Sequence, residues 1–184
     1  MARVELLDAA SAPLTAQRYF AGGDPGPIVA ALATVPELLA PTLEFLGAAL
    51  GDGAVATRHK ELAILRTSVL QGCRYCVHAH TAVALDVGLG VEEIRALHGE
   101  VPVESGFPDV GERALLGWID AMAGATGPLP DDVWEAVRQH WPDHVLIELS
   151  VTIGATLLLN RFATGFDLPI SPAVTVRLES AGLT

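Results

Sequence analysis

An all-α fold is predicted by three features of this chain. Helix-forming residues dominate, and the alternating apolar–polar runs of half-buried strands are scarce. Where the sequence is periodic, apolar residues return at spacings of three and four, as in Leu62, Leu65 and Val69, or Leu115, Trp118 and Met122. Glycine and proline clusters cut the chain into pieces of helical length. The expectation is about eight helices in a single domain.

Taken in order, residues 1–25 read as an irregular N-terminal arm, with GGDPGP (22–27) as a breaker cluster, and residues 26–184 as one helical domain. The stretch 28–50 reads as two helices, with Pro36 and Pro41 marking starts or kinks, because proline suits a first turn and not an interior. GDG (51–53) ends that unit. Residues 57–71 form the next helix, which Gly72 stops, and 74–88 follows it, ending at Gly88. Residues 90–99 make a short helix with an acidic first turn, and 101–110 reads as a loop. Residues 111–125 are amphipathic, while 129–141 opens with Pro130 and two aspartates that suit a helix start. The most apolar stretch, 142–166, reads as a buried helix interrupted by Glu148 and Thr152; 171–181 reads as a terminal helix or extended tail.

Residues 61–75 can be laid on 148–162, where Glu61 meets Glu148, Leu62 meets Leu149, Leu70 meets Leu157 and Arg74 meets Arg161. Internal duplication and chance similarity between two apolar helices both account for this echo. In the second copy Asn160 and Ala163 stand where the first has Cys73 and Cys76.

The balance of 22 acidic against 11 basic residues argues against a nucleic-acid partner, which needs a basic footprint. No apolar run reaches roughly 18 residues, so no membrane partner is expected. Only 18% of residues are charged, and the apolar excess on a soluble chain predicts a homo-oligomer that covers part of it. Two cysteines are no disulfide framework, and the expected compartment is the reducing cytoplasm, where a close pair points to chemistry or metal binding.

Both cysteines lie in QGCRYCVHAH (71–80). On a helix Cys73, Cys76 and His80, at i, i+3 and i+7, share one face, and His78 points away. Gly72 puts the pair at a helix N-terminus, whose free N–H groups favour a thiolate. If 57–71 and 74–88 fold back on each other at Gly72, Glu61 and His80 stand at equal offsets from the turn, within reach directly or through a water. A carboxylate, an imidazole and a thiol in series make a proton relay: the acid orients the base and the base activates the sulfur.

The spacing E-x11-C-x2-C-x3-H, from Glu61 through Cys73 and Cys76 to His80, resembles the thiol-peroxidase branch of the carboxymuconolactone decarboxylase superfamily, the AhpD-like alkylhydroperoxidases. Segments 35–50, 60–94 and 147–163 resemble family segments in the family order, with 57–98 as the CxxC core. The resemblance implies an AhpD-like all-helical subunit that oligomerises, needs no cofactor, and reduces organic hydroperoxides at the expense of a dithiol, a thioredoxin-like protein or a lipoyl protein. It implies that Cys76 is the peroxidatic thiolate, that Cys73 resolves its sulfenic acid to a disulfide, and that His80 and Glu61 form the relay. The best-known hydroperoxidases carry histidine just before the second cysteine, where this chain has Tyr75. The decarboxylase branch lacks the cysteine pair, which points away from lactone decarboxylation.

Other readings stand beside this one. The cysteines serve as small core hydrophobes; the pair is a redox sensor or disulfide-exchange site without high turnover; or Cys73, Cys76, His78 and His80 hold a structural zinc, for which helical spacing is poor. Trp118, Trp134 and Trp141 read as core, and Arg58 and His59 as a solvated helix end. Asn160 and Arg161 resemble a family feature near the site or a subunit contact, and no catalytic role is assigned to them.

Overall fold

The computed structural model describes residues 2–183, which contain ten α-helices and no strand. The helices are α1 (Pro27–Leu32), α2 (Pro36–Leu50), α3 (Thr57–Leu70), α4 (Arg74–Asp86), α5 (Val91–His98), α6 (Val103–Gly106), α7 (Val110–Gly124), α8 (Asp131–Arg138), α9 (Asp143–Gly165) and α10 (Pro172–Ser180). Prolines sit in the first turns of α1, α2 and α10, where a missing N–H costs nothing. Pro41 lies inside α2 without ending it. The stretch read as a loop, 101–110, contains the four-residue α6 after Pro102, too short for helical periodicity to register.

Helices α3, α4, α7 and α9 enclose the main core, in which Leu62, Leu65, Leu115, Ile119, Leu149 and Ile153 are buried. Each such side chain contributes about 1.5–3 kcal/mol by leaving water. Helix α3 is buried on almost every side, Lys60 and Glu61 included. Arg66 ties it across the core, with two bonds to the Asp120 carboxylate on α7 and one to the Leu97 carbonyl at the end of α5.

Among the described residues α9 is the one helix long and apolar enough, by length and composition, to cross a membrane. The sequence count missed this because polar residues break the run; in the fold they have core partners. Glu148 pairs with buried Lys60, and Thr152 donates to the Ala49 carbonyl on α2. The helix also shows where the sequence echo ends. Residues 61–75 turn at Gly72, which adopts φ +64°, whereas 148–162 run on as one helix through Leu159, the counterpart of Gly72.

The N-terminal arm lies against the helices. Ala12, Ala16 and Phe20 are buried with Ala33 and Leu39, and residues Gln17–Phe20 make one 3-10 turn. Its first residues cross from α9 to α1: the Arg3 N–H donates to the Phe166 carbonyl, and the Leu7 N–H to that of Ala30.

The environment corrects three expectations for single residues. Arg58 is half-buried; it pairs with Glu93 and Glu112 between α3, α5 and α7. His59 stacks edge-on against Trp141, with ring centroids 4.8 Å apart. Trp118 is core, but Trp134 is 39% exposed on α8, whose narrow apolar face leaves the indole at its edge.

Candidate active site

Gly72 builds the site. Its left-handed backbone turns the chain out of α3 and leaves Cys73 extended, as the cap before α4. Cys73 is therefore not on the helix face expected for it. Its sulfur instead accepts the Cys76 N–H at 3.4 Å, closing the helix N-terminus. The two sulfurs lie 2.7 Å apart and share a hydrogen bond. Cys73 has no exposure and Cys76 has 4%. Ala31, Ala163 and Leu168 bury them, with Val4, Leu6, Ile28, Tyr75 and Phe162 packed around.

The hairpin register is the one that equal offsets from the turn predict. Glu61 on α3 meets His80 on α4, with Oε2 and Nδ1 2.9 Å apart. Glu61 is 5% exposed and accepts this contact inside the hairpin. The carboxylate engages Nδ1, so Nε2 is the ring nitrogen left for a further proton.

Electrostatics divide the two thiols. The hydrogen bond from the Cys76 thiol, the Cys76 N–H, Thr164 and the charge of His80 together bring Cys73 down to about 6, against the cost of burial. Cys76 moves up, because its thiol is hydrogen-bonded to Cys73, burial disfavours a second charge, and the Cys73 thiolate repels one. The pair loses one proton readily and holds the other. Once the pair has lost its first proton, these contacts favour the charge on Cys73.

Zinc finds no cage here. His78 Nδ1 is engaged by the Arg74 carbonyl at 2.8 Å, and His80 is turned to Glu61. Among the described residues no three His, Cys, Asp or Glu side chains converge as metal ligands.

Asn160 and Arg161 brace the turn that carries Cys73. Asn160 donates to Ser68 Oγ at 3.2 Å, and the Ser68 carbonyl accepts the Cys73 N–H at 3.0 Å. Arg161 donates to Gln71 Oε1, and Gln71 Nε2 in turn donates to the Ala123 carbonyl. Thr164, the arm residues Val4 and Leu6, and Leu168 are the contributors that sequence reasoning missed. They lie far from the motif in the chain, and nothing in local periodicity marks them. A cavity of about 290 Å³ opens beside the pair, lined by Gly72, Arg74, Tyr75, Thr164 and Leu168.

Comparison with known proteins gives the chain relatives in sequence and fold. Residues 36–124, which hold Glu61, both cysteines and His80, match the model of the carboxymuconolactone decarboxylase family. The chain is 26% identical over 105 residues to the uncharacterized protein YdfG of Bacillus subtilis, covering 56% of this chain and 70% of that protein. It is 31% identical, with TM-score 0.68, to a crystal structure from Agrobacterium tumefaciens provisionally assigned to antioxidant defence as AhpD. That match covers 76% of this chain and 94% of that one. An uncharacterized peroxidase-related protein with an AhpD core from Ralstonia eutropha JMP134 superposes with TM-score 0.81 at 19% identity, over 94% of each chain.

Proposed function

The chain belongs to the carboxymuconolactone decarboxylase superfamily and has its AhpD-like fold, and from that premise we propose that it is a thiol-dependent reductase of organic hydroperoxides. One observation carries the reading: two sulfurs in hydrogen-bond contact at a helix N-terminus, beside a buried carboxylate–imidazole pair.

Cys76, the sulfur with some exposure, attacks the terminal peroxide oxygen after its proton passes along the short sulfur–sulfur hydrogen bond to Cys73. The oxygen–oxygen bond breaks, the alcohol leaves, and Cys76 becomes a sulfenic acid. Cys73, whose depressed pKa lets it hand that proton on to His80, then attacks the sulfenic sulfur as thiolate; His80 returns the proton to the departing hydroxide, and water leaves as the disulfide forms. His80, held by Glu61, favours the thiolate and takes up or returns its proton. An external dithiol, a thioredoxin-like protein or a lipoyl protein resets the pair. Exposed Phe45 on α2 and Ile147, Val151 and Leu158 on α9 support self-association as part of this reading.

The test is a mass-spectrometric thiol count on fully reduced protein, before and after one equivalent of cumene hydroperoxide. Loss of two hydrogens, localised to a Cys73–Cys76 link and reversed by dithiol, is expected. Two free thiols afterwards refute the reading. Repeated cycles with excess dithiol and peroxide separate an enzyme from a sensor, which switches once without flux.

A second expectation concerns the relay. In wild type the rate of iodoacetamide alkylation rises with pH around a midpoint of about 6, the Cys73 value. In His80→Ala a positive neighbour is lost and the midpoint moves up. An unchanged profile removes His80 from thiolate stabilisation.

A further inference from the structure

Tyr75 stands between the two cysteines on the first turn of α4, and its ring packs into the cluster that buries them. It lines the 290 Å³ cavity beside the pair and a second cavity of about 440 Å³, which Asp24, Pro27, Ala79 and Ile170 also line. Tyr75 shares both linings with Pro169 and Ile170, so it stands where the two spaces adjoin. Its hydroxyl makes no hydrogen bond to any other described residue, whereas that of Tyr19 is engaged by Arg18. A half-buried phenol ordinarily has a partner, so an unpartnered one at a cavity wall marks a place where a ligand or solvent oxygen completes the bond.

We infer that Tyr75 is the hydrogen-bond donor to the leaving oxygen of the bound hydroperoxide, and so a catalytic residue that sets which peroxides react. The inference rests on the peroxidase reading of the same site. As the thiolate attacks the terminal oxygen of R–O–OH, a sulfur–oxygen bond forms and the oxygen–oxygen bond breaks. The terminal OH stays on sulfur as the sulfenic acid, and the electron pair departs on R–O⁻. The phenol gives its proton to that alkoxide, forming the alcohol, and is reprotonated by water in the cavity. The phenol must be neutral to donate. Burial and the negative charge of Cys76, Cys73 and Asp24 raise its pKa and keep it so. Donation to a charge that exists only as the bond breaks acts on the transition state and not on the resting thiols.

Leaving-group strength supplies the test. An alkoxide is a poor leaving group and needs the donor; a carboxylate, released from a peroxy acid, does not. Tyr75→Phe keeps the ring and its packing and removes only the hydroxyl. Disulfide formation is followed by stopped flow with cumene hydroperoxide and with peroxybenzoic acid, both aromatic and of similar size. In the variant the first reaction is expected to slow at least about tenfold and the second to stay within about twofold of wild type. The thermal midpoint and the pH profile of alkylation are expected to hold. Equal slowing with both oxidants assigns Tyr75 to packing and overturns the inference, as does no slowing with either. Wild-type protein that keeps both thiols against both oxidants overturns the peroxidase reading itself, and this role with it.

Discussion

Cys76→Ser reduces peroxide consumption to the uncatalysed level, a loss on the order of 10³-fold or more, as expected when a nucleophile is removed. Cys73→Ser behaves differently: Cys76 still reacts once, and its sulfenic acid persists because no second thiol lies within reach to resolve it. Trapping that species with dimedone, followed by peptide mapping, reads the difference directly. The structure makes the assignment worth testing in both directions. Its contacts favour the first charge on Cys73, while Cys76 is the less buried of the two. A sulfenic acid trapped on Cys73 in Cys76→Ser, with none on Cys76 in the converse variant, exchanges the two roles. Equal trapping in both variants removes the division of labour altogether.

The largest stability effect belongs to Lys60, the residue just before Glu61 on α3. The Lys60 ammonium, 1% exposed, lies 2.7 Å from Glu148 and donates to the Gly51 carbonyl at 2.6 Å. Glu148 also accepts the Ala54 N–H, so the pair locks the 51–55 loop onto α3 and α9. Glu148→Gln leaves the buried ammonium without its counter-charge and costs about 3 kcal/mol. For a chain of this size that lowers the thermal midpoint by roughly 6–12 °C. The double variant Lys60→Met, Glu148→Gln recovers most of the loss, since an apolar replacement of both ions is often close to neutral. A double variant no better than Glu148→Gln alone refutes the ion-pair account. Acid acts in the same direction. The Lys60 hydrogen bond lowers the Glu148 pKa in the fold, so this contribution is complete above the ordinary value near 4.5 and is lost as pH falls below it.

Much of this was legible in the sequence because it is local. The glycine that ends α3, the cysteines that open α4, and the meeting of Glu61 with His80 all follow from a helical rise counted from one turn. What escaped depends on tertiary placement. Lys60 carries no local sign that the 51–55 loop and α9 will bury it. Cys73 was assigned to a helix face because spacing alone does not separate a capping residue from the first helical one. Arg58 looked solvated because its partners, Glu93 and Glu112, come from two helices not yet formed when a single segment is scanned. The same holds for Val4, Leu6 and Leu168, which reach the sulfurs from both ends of the chain.

That cover separates two inheritances. The reactive groups occupy one contiguous hairpin, from Glu61 to His80, while most of what lies over the sulfurs comes from residues 4–31 and 162–168. On the proposed reading, access to the sulfurs and the chemistry done there are thereby encoded largely in different stretches of chain, with Tyr75 as the hairpin's own contribution to selectivity. Selection can remodel the entrance without disturbing the sulfur chemistry, and grafting the first thirty or so residues from one such protein onto another would exchange what is admitted while leaving intact what is done to it.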